Sequence, residues 1–189
     1  MKKIFSLLLC LGLMVVSTSV TTAASDNTTI QEGANFLGIN RFAIMMPNYV
    51  PAEKGDLTKE ELVEVIYKPH KDTKFQVLSY DEVVREILAA SNINIKTLER
   101  HKAAQIFVEH APKFCDAYIV LTVANNKGID CFFDVQRAGT NELLYTYHVA
   151  SGSKERGKNL DVVYRMLAEK FYGNLNDTVQ DQQKKALKK

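Results

Sequence analysis

Hydrophobic positions along the chain fall into two spacings. Residues 39–46 (Ile-Asn-Arg-Phe-Ala-Ile-Met-Met) read as a strand stopped by Pro47 and Pro51. Thr58-Lys-Glu-Glu61 is a capping box, in which hydroxyl and carboxylate each satisfy an orphan backbone amide. It opens a helix burying Leu62, Val65 and Ile66 and ending before Pro69. Phe75, Val77 and Ser79 alternate as a short second strand, and Ser79-Tyr-Asp-Glu82 is a second capping box. The helix after it carries Val83, Val84, Ile87 and Leu88 on one stripe. A third helix is expected over 95–110, before Pro112. Then come three β-rich runs, 116–124, 129–137 and 142–150, separated by the turns Asn125-Asn-Lys-Gly128 and Ala138-Gly-Thr-Asn141. Tight turns between such runs indicate an antiparallel meander. After a glycine-bearing loop, Leu160, Val163, Tyr164, Leu167 and Phe171 give the stripe of a last helix.

The order β-α-β-α-α-β-β-β-α predicts an α/β fold, with a single mixed sheet of about five strands flanked by about four helices. Residues 39–173 would form that domain. The polar stretch 25–38 reads as a loose lead-in, and 174–189 as a polar, basic tail, solvated and disordered.

Residues 1–24 stand apart. A basic start, an apolar run over 4–16 and a small-residue exit are the parts of a secretory signal peptide, with cleavage expected near Ala24. The apolar run is shorter than the roughly 20 residues of a bilayer-spanning helix, so no stable membrane span is expected after cleavage. Cys10 leaves too short an apolar stretch before it for a lipidation signal. Without Lys2 and Lys3 the chain carries 22 basic and 22 acidic residues, so the basic face of a nucleic-acid binder is not expected.

Four-residue turns would pair Ala124 with Ile129 and Arg137 with Glu142. On that register Cys115 and Cys131 lie more than about 20 Å apart, too far for a disulfide. The same register sets His148 directly opposite Cys131, the neighbourhood of a nucleophilic thiolate. That face would also carry Tyr118, Val120, Phe133, Val135 and Leu144, so Cys131 reads first as a core residue with His148 as its hydrogen-bonded neighbour. Asp130 and Asp134 alternate on one strand, with Asp134 expected opposite Tyr145; paired carboxylates can act as acid and base or hold a cation. His110 falls on the apolar stripe of Ile106 and Phe107, while His70 and His101 read as surface residues. The chain has no CxxC, HExxH, GxGxxG, Walker or GxSxG motif. No catalytic, cofactor-binding or metal-ligating residue is therefore assigned, and no cofactor is expected.

Phe114-Cys-Asp-Ala-Tyr-Ile-Val-Leu-Thr-Val123, after an Ala-bearing helix, resembles a segment of small bacterial envelope α/β domains. These include the N-terminal domain of the Tol translocation protein, the activator lipoproteins of penicillin-binding proteins and the curli secretion subunit. Phe132-Phe-Asp-Val-Gln-Arg-Ala-Gly-Thr-Asn-Glu-Leu-Leu-Tyr145 is similar to their following strand and turn. The chain departs from them in lacking a lipobox and in having Cys115 where a small residue is usual. The resemblance implies a non-catalytic envelope protein, and no functional residue carries over. The expectation is an exported protein, periplasmic or extracellular and more a binder than an enzyme, whose partner is an envelope or extracellular protein. The alternatives are a secreted thiol-dependent hydrolase using Cys131 and His148, and a small-ligand carrier with a cleft beside Asp134 and Tyr145. Oligomeric state stays open.

Overall fold

The structure, a computed structural model, describes residues 26–125, 128–152 and 159–187. The expected signal peptide at 1–24 lies outside them. Strands β1 (Asn27–Ile30), β2 (Arg41–Ile44), β3 (Gln76–Leu78), β4 (Ala117–Asn125), β5 (Ile129–Arg137) and β6 (Leu143–Ser151) build one mixed sheet in the order β1-β6-β5-β4-β2-β3. β2 runs parallel to both β3 and β4, and the other pairings are antiparallel. Helices α1 (Lys59–Tyr67), α2 (Tyr80–Ser91), α3 (Arg100–His110) and α4 (Leu160–Ala186) pack around the sheet. This is the expected α/β class, with one more strand.

Both capping boxes form. Glu61 accepts the Thr58 amide at 2.7 Å and Glu82 the Ser79 amide at 2.7 Å, while Thr58 and Ser79 accept in return. The third helix is shorter than expected. Asn94 caps a separate 3₁₀ turn at Ile95–Thr97, Leu98 is extended, and α3 begins only at Arg100.

Two terminal expectations are corrected. Residues 27–30 are not a loose lead-in: β1 pairs with β6 along the sheet edge. All four of its residues are exposed, so it has no alternation of burial to show in sequence. The stretch from 174 is no disordered tail, because α4 continues to Ala186. Its apolar stripe goes on from Phe171 through Leu175 to Val179, all buried. Its amides are bonded to the domain. Asn174 accepts from Tyr145 (2.9 Å) and Thr28 (3.1 Å), Asn176 from the Lys74 amide (3.1 Å), and Gln182 from the Phe36 amide (3.0 Å).

Register decides the faces of the meander. Asn125 pairs with Ile129, so Cys131 lies opposite Val123 rather than Thr122. Between β5 and β6 the expected pairing holds at the turn, where the Arg137 amide donates to Glu142 O at 2.9 Å and Gln136 faces Leu143. A β-bulge then intervenes, and Val135 pairs with Tyr145, leaving Leu144 as the extra residue. From there on every partner shifts by one: Cys131 faces Val149 and Phe132 faces His148. A one-residue shift exchanges the faces of a strand. Cys131, Phe133 and Val135 therefore join Ile119, Leu121, Tyr145, Tyr147 and Val149 on the buried side, against the expected grouping. There Phe133 stacks on Phe171 of α4, ring centroids 4.3 Å apart, and α1 packs beside α4.

Ending the chain at Gly173 removes two buried side chains, Leu175 and Val179, each worth about 1.5–3 kcal/mol of burial. Chemical denaturation of that truncation is expected to show a loss of about 3–6 kcal/mol; stability unchanged by it would mean that the second half of α4 does not dock.

Candidate functional site

The opposite face of the sheet is covered at one end. α2 packs on β2, and Phe107 of α3 meets Tyr118 of β4 edge-on at 5.7 Å. From Val120 of β4 onward the side chains of this face are half-buried: Val120 and Thr122 on β4, Asp130, Phe132 and Asp134 on β5, Thr146, His148 and Ala150 on β6. The Phe132 and His148 rings stack at 4.4 Å and 11° between planes. His148 Nε2 lies 3.1 Å from Asp130 Oδ1, and these two side chains keep 25% and 33% exposure, so the pair is reachable from solvent. Thr146 Oγ1 donates to Asp134 at 2.6 Å. The result is a patch with an aromatic centre and two carboxylates, each carboxylate fixed by a cross-strand partner. Such ordered aromatic groups, amphipathic and already positioned, suit a contact surface.

This geometry corrects the thiol reading. Cys131 and His148 point to opposite faces, and Cys131 has no exposed surface. Burial, with the Asp130 charge behind it, pushes the Cys131 thiol well above its ordinary range. Burial next to Asp116 pushes Cys115 up to about 12 against the smaller opposing effect of Arg41, and its S–H donates to Ala111 O at 3.4 Å. A nucleophilic cysteine needs the reverse, a lowered pKa and access. Both thiols are free. The cleft expected beside Asp134 and Tyr145 fails for the same reason: Tyr145 lies on the α4 side, bonded to Asn174, while Asp134 faces Thr146 on the other. Asp130 and Asp134 do share a face, but among the described residues no three His, Cys, Asp or Glu side chains form a metal-binding group. His110 is buried with Ile106 and Phe107, His101 is exposed, and His70 is half-buried against Tyr67, ring centroids 4.1 Å apart.

One feature had no counterpart in the sequence reading. A cleft of about 660 Å³ opens where the chain leaves β2, between α1 and α3. Its trace in the sequence is the stripe Arg100, Ala103, Ala104, Phe107, whose two small residues leave space beside the helix.

No protein-family model matches the chain, and no curated protein matches it. Among solved structures the chain is similar to the PelC dodecamer from Paraburkholderia phytofirmans, at 9% identity over 82% of this chain and 98% of that one, with a TM-score of 0.46. It is also similar to the LpoB C-terminal domain from Escherichia coli (11% identity, 60% and 82% covered, TM-score 0.43). A third likeness is to the lipoprotein GNA1162 from Neisseria meningitidis (14% identity, 72% and 97% covered, TM-score 0.41). At these values no residue role is carried across. Among the described residues no helix is long and apolar enough to cross a membrane.

Because both thiols are held above their ordinary pKa in the fold, the unfolded chain ionises them first. Their contribution is fully present below about pH 8.5 and is lost as pH rises beyond it. Denaturation under reducing conditions at pH 7.5 and 9.5 is expected to show a loss of about 1 kcal/mol for each thiol, together with a part from the buried tyrosines, which are also held protonated in the fold and which the unfolded chain begins to ionise in the same range. Cys131→Ala should lessen that loss by about 1 kcal/mol; a loss unchanged by the substitution would mean that the Cys131 thiol is not held protonated.

Proposed function

We propose that the protein is exported, is not an enzyme, and acts in the cell envelope or outside the cell through a protein contact made by the open face of the meander. The leader-like sequence of residues 1–24 supports export. The single observation behind the contact is the stacked Phe132–His148 pair flanked by Asp130 and Asp134, ordered on a sheet face that no described helix covers beyond β4. Aromatic anchors ringed by fixed polar groups are what interface centres use. The two carboxylates favour a partner with basic groups at the rim of the contact. The hydrolase reading loses its base to the opposite face of the sheet.

A photocrosslinking side chain placed at Phe132 in intact cells is expected to give one discrete adduct, and one at the exposed Arg165 of α4 to give none. Asp134→Lys combined with the Phe132 probe should lower the adduct several-fold. Equal labelling from both positions, or none from Phe132, would contradict the proposal.

A further inference from the structure

We propose that the cleft between α1 and α3 binds a single-chain zwitterionic amphiphile, a site separate from the open meander face. Topology accounts for the opening. The chain passes from β2 through α1 to β3 on the side where α4 lies, then returns through α2 and α3 to β4 on the other side. β4 and β3 flank β2, so the two crossovers part above it and leave a crevice at the carboxyl ends of the parallel strands, where open α/β sheets bind ligands. Its volume, about 660 Å³, falls within the roughly 300–1,000 Å³ of small-molecule pockets.

The buried part of the lining is apolar or aromatic, and charged groups stand at the rim. Met45 and Met46, just past the end of β2, form the floor, Val63 and Phe107 the two walls, and Ile95 and Leu98 close one end. Met is the side chain that adapts most readily to a flexible apolar chain. Asn48 holds the floor to the sheet, donating to Thr122 Oγ1 at 3.2 Å and accepting from Arg100.

The rim decides the head group. α1 presents Glu60 and Glu64 on the same stripe as Val63 and Tyr67. Across the opening stand Arg100, bonded to a neutral amide, and Lys96, paired with Asp81 at 2.7 Å. Lys59 adds a cation at the start of α1. The six rim charges cancel, yet they are separated. Among the described residues Glu60 and Glu64 make no ion pair, and Arg100 has no carboxylate partner. A ligand with an ammonium for Glu60 and Glu64, near the rings of Tyr67 and Tyr80, and an acidic group for Arg100 would complete both lips. Nucleotide phosphates fit less well, because the capping boxes of α1 and α2 already set a carboxylate, Glu61 and Glu82, at each helix N-terminus.

The test is a series of head groups on one twelve-carbon chain, titrated below micelle formation into the full chain by calorimetry. Dodecylphosphocholine is expected to bind saturably, one per chain, at least tenfold more tightly than neutral dodecyl maltoside. Glu60→Gln with Glu64→Gln should weaken dodecylphosphocholine and dodecyltrimethylammonium several-fold and leave dodecanoate unchanged. Arg100→Gln should weaken dodecylphosphocholine and dodecanoate and leave the cation unchanged. Ala104→Phe, which fills the cleft, should abolish binding of all four; the rim variants stand in if it fails to fold. Equal affinity for every head group, absence of saturation, or binding intact in folded Ala104→Phe would overturn the proposal. Crosslinking from Phe132 probes the other surface, so either result stands without the other.

Discussion

The bulge at Leu144 turns Tyr145, Tyr147 and Val149 toward α4, and the packing of the meander depends on that turn. Phe171 stacks on Phe133 and lies 6.3 Å from the rings of both Tyr145 and Tyr147, so one helical residue locks three side chains from two strands. Without the bulge β6 would present Thr146 and His148 to this layer and expose the tyrosines. Burying those polar groups without partners would cost roughly 1–3 kcal/mol each. A single register therefore survives, and the sheet has one dry face and one with polar, paired side chains.

The same register separates the chemistry. It places Cys131 in the dry layer and His148 outside, stacked on Phe132, so the thiol is a core atom and the imidazole part of a surface. α4 can run its full length because the dry face needs cover from Val163 to Val179, and the amides of Asn174 and Gln182 tie its far half to β6 and to residues 34–36. At the other edge the parallel strands impose a different constraint. One crossover leaves β2 and the other passes it on the opposite face on its way from β3 to β4, so the two cannot close over its carboxyl end, and the cleft there follows from connectivity.

What could be read in the sequence was local. A hydroxyl and a carboxylate three residues apart make a cap without tertiary help, so Thr58/Glu61 and Ser79/Glu82 were visible. The turn at 138–141 was visible too, and its pairing of Arg137 with Glu142 holds. The bulge one residue further on was not, because the aromatic residues of α4 select it, and they lie far along the chain. β1 offered no alternation, being exposed throughout. Residues 174–186 read as solvated because their polar side chains bond to protein rather than to water, a distinction composition cannot make. The walls of the cleft, 60–67 and 100–107, meet only through the crossovers.

The register can be measured directly by disulfide trapping. In a Cys131→Ala background, Phe132→Cys and His148→Cys are directly opposed, within the Cα separation a disulfide needs, and should link on mild oxidation. With Cys131 retained, His148→Cys alone should stay reduced, because the two thiols point to opposite faces. Linkage of Cys131 to His148→Cys, with none in the first pair, would contradict the bulge and the two faces that depend on it.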